Sequence, residues 1–557
     1  MELYIKKISS LEKIRSFEND YKVAPDNIKL LGGEHYAYQL VVTTADISAK
    51  VNVSIDSDIK EYINIYSVSD VPMDRVTHDS PTDDNYITKN TGLMPDLLIP
   101  INKTNDTLVI ARNSQEANGY AFKTLWIDIN LPKGIEADDH YITIKLEAEN
   151  FYGTPENATI SDTTHIQFIP TNLPDNEICY TQWFYNDCIA SAHDVEIYSE
   201  KHWTLIEKYI KLAAQLEINT ILTPVFTPPL DTQIGYYRPN VQLVKISEEN
   251  NKYSFDFNLL DRFIEIAKSN GIKNFEICHL YSQWGLKSAP AVYVNNELKF
   301  GWHTQSDSVE YIDFLNQFLP ELITHLKKKG IDKTNCLFHI SDEPNVNAIE
   351  NYKKAYNVIR PLIGDIKILD AMSNINFYNM GLMDIPVCAS DHIEAFLEAN
   401  IDELWTYYCC CQTNGVSNRF IAMPSTRTRA IGLHMYKYGI KGFLQWGYNF
   451  YYSTRSLYPI NPLLTTSAGG GFPSGDSFSV YPYGDDVLPS LRSIIFKDAL
   501  QDVRLMKLAE NLVGKDKIVA LFENLAGCEV TFKHCPRNID FYETLVKELK
   551  TVIEKNL

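Results

Sequence analysis

The chain has 557 residues, 45% of them apolar, and a formal net charge of −20, so it is long enough for two or three domains with buried cores. The acidic balance and the lack of a local Lys/Arg cluster exclude a phosphate-neutralising surface, and no nucleic-acid partner is expected. The first ten residues lack the apolar core of a signal peptide, and no stretch reaches 18 uncharged apolar residues, which predicts a cytoplasmic protein without membrane insertion.

Residues 1–173 carry short β-type runs separated by turn residues. Runs of this length and spacing are typical of an antiparallel β-sandwich. Nothing in this part concentrates chemistry, so we expect a structural domain that braces the next one, with a carbohydrate-binding module as the alternative. A linker is predicted at Leu173–Asn176. The predicted strands are Tyr36–Thr43, Val51–Ile55, Tyr62–Val68, Leu108–Ala111, Leu125–Ile129, Tyr141–Leu146 and His165–Ile169.

From Glu177 the pattern changes to short apolar runs that alternate with longer segments of helical period. Such alternation predicts a parallel sheet, and eight repeats predict an α/β fold of the closed (β/α)8 TIM-barrel type over residues 177–510. The eight predicted strands are Ile178–Phe184, Thr220–Phe226, Phe275–Tyr281, Cys336–Ser341, Ile366–Leu369, Val387–Ala389, Leu404–Tyr408 and Gly442–Trp446.

The crossover segments carry the apolar stripes of amphipathic helices. Ser199–Glu217 begins with a capping serine, and Leu259–Ala267 and Val309–Lys329 are each followed by a glycine that ends the helix. Towards the end of the chain, Arg492–Val513 has the clearest helical pattern, and residues 511–557 are predicted to form a small, mostly helical C-terminal appendage.

One predicted strand, Cys336–Ser341, ends in two adjacent carboxylates, Asp342 and Glu343, and Pro344 then stops ladder pairing. Strand alternation turns Asp342 away from the side that Glu343 faces, unless the strand ends there, as the proline indicates. The two carboxylates can then converge on one ligand. The alternative is that the acidic pair only caps a helix that starts near Asn345.

In barrels of this kind, chemistry collects at the C-terminal tips of the strands. Tryptophan faces suit the apolar face of a sugar ring, and amide, carboxylate and guanidinium groups suit its hydroxyls. Accumulation of these groups at one rim predicts a carbohydrate ligand, although any one of them is more often a packing or capping residue. The candidates are Trp183, Tyr185, Asn186, Asp187, Asp231, His279, Gln283, Trp284, Asp370, Trp405, Tyr407, Tyr408, Arg419, Trp446, Tyr448 and Asn449.

Most of the ten cysteines lie in apolar, strand-like runs, which is typical of reduced core cysteines. Cys409, Cys410 and Cys411 are consecutive, and on a strand they would alternate between faces. No Cys-x-x-Cys pair or histidine cluster accompanies them, so neither a metal site nor a cofactor is predicted.

Seven stretches of the barrel region form co-linear motifs, namely Tyr180–Cys188, Pro228–Thr232, Gln283–Gly285, His339–Pro344, Leu404–Cys409, Ser417–Phe420 and Gly442–Asn449. Together they closely resemble the family 123 glycoside hydrolases, which are retaining β-N-acetylgalactosaminidases. Clostridial members that act on glycosphingolipid glycans are the most similar. The resemblance spans most of residues 177–510 and, more loosely, Gly33–Leu40 and Gly92–Leu97.

The resemblance implies an exo-acting enzyme with substrate-assisted catalysis. By analogy, Glu343 is the general acid and then the base, and Asp342 orients the 2-acetamido group of the substrate and stabilises an oxazolinium-type intermediate. Adjacent carboxylates agree with this, because a protein nucleophile normally requires two carboxyl groups about 5–5.5 Å apart across the scissile bond. Asp342 is expected to remain ionised and to raise the pKa of Glu343.

The remaining assignments combine this resemblance with strand-end position. Tyr407 is assigned to the acetamido oxygen, with Tyr448 as the competitor. The pocket walls are assigned to Trp183, Trp284, Trp405 and Trp446, and the polar contacts to Asn186, Asp187, His279, Gln283, Arg419 and Asn449.

Two other functions are compatible with the sequence. One is a non-catalytic glycan-binding barrel, and the other is a retaining glycosidase with a protein nucleophile such as Asp187 or Asp370. The sequence leaves open whether the enzyme prefers GalNAc or GlcNAc, which aglycone it accepts and which oligomeric state it has.

Overall fold

The computed structural model describes residues 2–44, 46, 48–78, 80–101, 107–111, 121–136, 138–150 and 157–557. It has a two-sheet front part, a closed barrel and a helical C-terminal segment, which confirms the predicted fold class. Within these residues, no helix combines the length and the apolar character needed to cross a membrane.

The front part is a sandwich of two five-stranded sheets. Their strand orders are β1-β3-β8-β5-β6 and β2-β10-β9-β4-β7. The pairing is antiparallel except between β2 and β10, which run parallel. The strands are β1 (Leu3–Ser9), β2 (Asn27–Gly32), β3 (His35–Thr44), β4 (Ser48–Asp56), β5 (Ile63–Met73), β6 (Gly92–Pro100), β7 (Thr107–Ala111), β8 (Phe122–Asn130), β9 (His140–Asn150) and β10 (Asn157–Asn172).

The strands of the second part form the barrel and three added hairpins. They are β11 (Cys179–Gln182), β12 (Thr220–Thr223), β13 (Lys245–Glu249), β14 (Lys252–Asp256), β15 (Asn274–Ile277), β16 (Val292–Val294), β17 (Glu297–Phe300), β18 (Cys336–Phe338), β19 (Lys367–Ala371), β20 (Ile385–Ala389), β21 (Trp405–Tyr407), β22 (Gly442–Gln445), β23 (Val480–Tyr483) and β24 (Asp486–Pro489).

The barrel closes in the order β11-β12-β15-β18-β19-β20-β21-β22, with all neighbours parallel. These are the eight strands that the apolar runs predict. Several runs extend beyond the ladder, as at β18, which ends three residues before Ser341. The extra residues remain buried below the mouth of the barrel, as His339, Ile340 and Ser341 do.

Helices cover the barrel wall, and their ends follow the predicted signals. The Ser199 side chain accepts a hydrogen bond from the His202 amide at the start of one helix, and Gly330, at φ +69°, follows the end of another. The helices are α1 (Asn186–Ala192), α2 (Glu200–Gln215), α3 (Asn258–Ser269), α4 (Val309–Lys328), α5 (Ile349–Ile363), α6 (Asn376–Asn379), α7 (Glu394–Glu398), α8 (Ser425–Arg429), α9 (Ile431–Tyr438), α10 (Leu491–Val513), α11 (Lys515–Ala526) and α12 (Ile539–Glu554), with 3₁₀ turns at Lys60–Tyr62, Val346–Ala348 and Thr454–Ser456.

Buried charges join the sandwich to the C-terminal helices. Asp96 of β6 accepts hydrogen bonds from Arg492 of α10 at 2.9–3.0 Å and from Tyr481 at 2.6 Å. Asp96 and Arg492 are both almost fully buried. Because a buried charge without its partner is costly, these contacts fix the sandwich against the barrel.

Candidate active site

The tip formed by Asp342 and Glu343 lies at the mouth of the barrel, where backbone hydrogen bonds hold it in place. Beyond β18 the chain stays extended and bonds to the segment after β15, where the Tyr281 amide donates to the Ile340 carbonyl at 3.0 Å. The Trp284 amide donates to the Asp342 carbonyl at 3.2 Å. Two neighbouring tips are therefore connected at the acidic pair.

The backbone turns sharply at the pair, because Glu343 has a left-handed φ of +43°. Such a conformation is uncommon for a residue other than glycine and is concentrated at functional sites. It breaks the strand alternation that would send consecutive side chains to opposite faces. The helix-cap alternative does not hold, since the Asn345 side chain, not the acidic pair, accepts the hydrogen bond from the Asn347 amide at the next helical turn.

A buried carboxylate, Asp370 of β19, supports this tip from below. It accepts hydrogen bonds from the Ile340 amide at 3.1 Å, the Ser341 amide at 3.3 Å and the Tyr352 hydroxyl at 2.5 Å. The His339 ring lies 3.1 Å from the same carboxylate. Both of its oxygens are engaged, so Asp370 fixes the backbone that carries the acidic pair.

His339 lies inside the barrel between two carboxylates. Its Nδ1 is 3.1 Å from Asp370, and its Nε2 is 2.9 Å from Glu276, which also accepts from the Trp183 indole at 3.1 Å. Burial alone lowers the pKa of His339, but the hydrogen bonds to Asp370 and Glu276 outweigh it and raise the pKa to about 9. At neutral pH, His339 is therefore an imidazolium that balances these two acids.

The His279 ring stacks on His339 with centroids 4.4 Å apart. Burial lowers its pKa well below the ordinary value, so it is neutral. His279, His339 and Asp370 offer possible metal ligands within 4.8 Å of one another. Both nitrogens of His339 already bond to carboxylates, and a metal there would have to break those bonds.

The two carboxyls of the tip influence one another. The pKa of Asp342 is raised well above its ordinary value, mainly by burial and next by the charge of Glu343. The charge of His339 opposes this rise. Burial of the Glu343 carboxyl raises its pKa too, although the Tyr407 hydroxyl donates to it at 2.6 Å. Glu343 as a whole residue is exposed at the rim, but its carboxyl meets the buried Tyr407. The upward direction for Asp342 differs from the expectation that it remains ionised.

Other predicted residues border the same mouth. Trp284 is 49% exposed and Trp446 is half-buried, with its indole donating to Asp476 at 3.0 Å. The Gln283 side chain accepts from the Asp231 amide at 2.7 Å. Asp231 contributes to the raised pKa of Asp342, and burial raises the pKa of Asp231 itself to about 6.

Trp405 is at the opposite end of the barrel, so its assignment to the pocket wall is wrong. It is the first residue of β21, whereas Tyr407, the last, reaches Glu343. Its ring packs so closely on Gly442, the first residue of β22, that a Cβ there would lie 2.1 Å from it. Trp405 therefore fills the N-terminal end of the barrel.

Three further assignments are wrong because core contacts occupy the side chains. Arg419 is buried and donates to Gln182, Gln445 and two carbonyls. Tyr448 is buried against α2, where its hydroxyl donates to the Tyr209 carbonyl at 2.9 Å. Asn449 is buried and exchanges two hydrogen bonds with the Tyr185 backbone.

Asn186 and Asp187 are buried in α1, but the Asn186 Oδ1 and both Asp187 carboxylate oxygens have no hydrogen-bond partner among the described residues, so their assignment to polar sugar contacts stays a prediction. Asp187 lies 3.4 Å from the guanidinium of Arg238, which also packs over the Tyr185 ring. The Asn186 amide donates to the Tyr198 hydroxyl at 3.3 Å.

Cys409, Cys410 and Cys411 do not continue the strand, so the alternation argument against a metal site is wrong. β21 ends at Tyr407, and the three residues enter a turn. All three Sγ atoms lie within 4.8 Å of one another.

Distant loops supply residues that strand-end reasoning did not select. Asp476 follows β22 by some thirty positions, and Asp391 follows β20. His78, from the sandwich, faces the ring of Phe472 at the same rim, with centroids 6.3 Å apart. Asp391 lies two residues after β20 and could have been found from its strand-end position, whereas only the fold brings Asp476 and His78 to this rim.

A parallel barrel with paired carboxyls and tryptophans at its open mouth has the features of a carbohydrate-active enzyme. The family model described as "Glycoside hydrolase 123, catalytic domain" matches residues 183–509. The chain therefore belongs to glycoside hydrolase family 123 and is a glycoside hydrolase with a carbohydrate substrate.

The structural comparison agrees with this family. A family 123 glycoside hydrolase from Clostridium perfringens, described in connection with glycolipid glycan hydrolysis, is similar over 100% of this chain and 98% of that chain, with a TM-score of 0.71 and 16% identity. A β-D-glucuronidase from Dictyoglomus thermophilum is far less similar, with a TM-score of 0.34, 9% identity and coverage of 89% and 97%. A sequence comparison with curated proteins gives no significant match.

The imidazolium of His339 generates a prediction about alkaline stability. Its folded pKa, about 9, lies above the ordinary 6.5, so its contribution of about 3 kcal/mol is complete below pH 6.5 and is lost as the pH rises through 9. Between pH 7 and 9, the urea midpoint of the wild type should fall more steeply than that of His339→Gln. His35 has a similarly raised pKa but is common to both proteins. Parallel slopes would contradict the assigned charge.

Proposed function

We propose that this enzyme is an exo-acting, retaining β-N-acetylgalactosaminidase that removes terminal β-linked GalNAc by substrate-assisted catalysis. In this proposal, Glu343 is the acid and base, and Asp342 orients the 2-acetamido group. The family membership supports the reaction class, and the pairing of carboxyls on consecutive residues supports the mechanism.

The observation that carries the proposal is the state of the two rival nucleophiles. Asp187 is fully buried beside Arg238, and Asp370 is fully buried with both oxygens engaged by Ile340, Ser341 and Tyr352. Asp370 is held by its donors and Asp187 is enclosed with no exposed surface, which argues against either carboxylate as the nucleophile for a sugar at the mouth. A nucleophile supplied by the substrate removes the need for either.

The reaction then has two steps at the anomeric carbon. First, the acetamido oxygen attacks that carbon while Glu343 donates its proton to the glycosidic oxygen, and the aglycone leaves as an alcohol. Second, Glu343 takes a proton from water, which attacks the same carbon and reopens the oxazolinium-type ring. Each step inverts the anomeric centre, so the configuration is retained overall.

The raised pKa values of the pair suit this division of work. Burial raises the pKa of both carboxyls, and the Glu343 charge raises that of Asp342 further, so each carboxyl binds a proton more readily than it would in water. Positive charge that develops on the acetamido group favours ionised Asp342, which leaves the proton on Glu343. The Tyr407 hydroxyl donates to Glu343 at 2.6 Å, and in this proposal it turns to the acetamido oxygen when substrate binds.

The rim and the relative both support the proposed substrate class. Exposed Trp284 and half-buried Trp446 offer faces for sugar stacking. The Clostridium perfringens enzyme is described in terms of glycolipid glycan hydrolysis. We therefore propose glycosphingolipid oligosaccharides as the source of the terminal GalNAc.

Substrate assistance predicts a strict requirement for the acetamido group. An aryl N-acetyl-β-galactosaminide should be cleaved, and the matching aryl β-galactoside, which lacks the internal nucleophile, should show no enzyme-dependent release of the aryl alcohol. The matching N-acetyl-β-glucosaminide, measured in parallel, reports the preference at C4. Comparable turnover of the galactosaminide and the galactoside would exclude substrate assistance. Binding without turnover would favour the glycan-binding alternative.

The two carboxyl variants should differ in their dependence on the leaving group. Glu343→Gln should lower kcat by about 10²–10⁴ for substrates with poor leaving groups and much less for activated aryl substrates, because only the former need protonation. Asp342→Asn should slow every substrate, since attack by the acetamido oxygen accompanies the departure of every leaving group. Asp307→Asn, at an exposed surface pair with Lys354, is the matched control. Normal rates for Asp342→Asn would refute its assigned role.

A further inference from the structure

Cys409, Cys410 and Cys411 form a three-thiol cluster on the wall of the active-site mouth. The turn that gathers them is fixed by hydrogen bonds, since the Gln412 side chain accepts from the Cys409 amide at 2.7 Å and the Asn418 amide donates to the Cys409 carbonyl at 2.8 Å. The Sγ atoms of Cys410 and Cys411 are 3.6 Å apart. All three Sγ atoms lie within 4.8 Å of one another.

These distances fit a thiophilic metal ion. Zn²⁺ binds thiolate sulfur at about 2.3 Å in a tetrahedron, which places sulfurs about 3.8 Å apart. The Cys410 and Cys411 sulfurs, 3.6 Å apart, are already close to this spacing, and all three sulfurs lie within 4.8 Å of one another. Cys411 is exposed and the other two thiols are partly buried, so an ion can enter from solvent and keep a fourth position for water. Soft thiolates favour zinc-like ions over Mg²⁺ or Ca²⁺.

We propose that Cys409, Cys410 and Cys411 bind one zinc-type divalent cation at the rim of the active site and that the bound cation inhibits the enzyme. Binding replaces up to three thiol protons, which are released to solvent, with three metal–sulfur bonds. No electron transfer is involved, and no oxidant is needed.

The proposed inhibition rests on the position of the cluster beside Glu343. The Tyr407 hydroxyl donates a hydrogen bond to Glu343, and Cys409 is only two residues after Tyr407. The thiols are therefore close in the chain to the residue that contacts the proposed acid. Cys411 and Asp391 both contribute to the raised pKa of Glu343, which places them in the same electrostatic environment. A hydrated cation at the cluster occupies this side of the mouth and restricts Glu343. This inhibition rests on the proposed function, whereas binding does not.

Binding is tested on the reduced, full-length protein with Cd²⁺ as a spectroscopic probe and Zn²⁺ by equilibrium dialysis. We expect one ion per chain, a thiolate-to-cadmium absorption band in the ultraviolet and a fall of up to three in titratable thiols. Cys411→Ser and Cys410→Ser should weaken Zn²⁺ binding by about 100-fold or more, because even the loss of an outer partner of a metal ligand costs about 10–100-fold. Cys528→Ser removes an exposed cysteine outside the cluster and should change neither the cadmium absorption band nor the Zn²⁺ affinity.

The outcomes separate the claims. Absence of the cadmium band in the wild type, or an unchanged band in Cys410→Ser and Cys411→Ser proteins with wild-type melting temperatures, would overturn the site. One bound ion with unchanged hydrolysis of an aryl N-acetyl-β-galactosaminide would overturn the inhibition and support the site. Failure of the metal-free enzyme to cleave that substrate would count against the proposed function, and the binding measurements would still decide the site.

Discussion

One buried carboxylate accepts hydrogen bonds from two backbone amides, and these bonds determine the geometry of the candidate active site. Asp370 bonds to the amides of Ile340 and Ser341, directly before Asp342 and Glu343. Tyr352 and His339 occupy its remaining lone pairs. Because a buried acceptor with this many donors has little freedom to move, the acidic tip is held by a rigid floor and not by a mobile loop.

A second level of support comes from outside the barrel. The buried Asp96–Arg492 pair and the contacts of His35 with Asp498 and Asp128, at 2.6 and 2.7 Å, join the sandwich to α10. The sandwich also sends His78 to the rim of the mouth. The front part therefore contributes to the shape of the site as well as to its support, which goes beyond the bracing role that its sequence predicts.

The barrel could be predicted from sequence because strands buried on both faces are largely apolar, and eight such runs leave few alternatives. The acidic pair could be predicted because it directly follows the fourth predicted strand, although the ladder ends earlier than Pro344 indicates, at Phe338. The sequence does not show which residue of a three-residue strand such as β21 lies at the mouth of the barrel. The prediction for Trp405 is wrong for that reason. Arg419, Tyr448 and Asn449 have the chemistry of sugar ligands, but their partners come from distant segments that sequence position does not identify.

We propose that the acetamido group of the substrate is the nucleophile and that Asp342 positions it. The most direct test is a crystal structure of the enzyme with the thiazoline analogue of N-acetylgalactosamine, which mimics the cyclic intermediate. Our account predicts an Asp342 carboxylate oxygen about 2.6–3.2 Å from the thiazoline nitrogen, with Glu343 on the side from which the aglycone leaves. A thiazoline nitrogen that faces no carboxylate, with another acid such as Asp231 in line with the anomeric carbon, would contradict it.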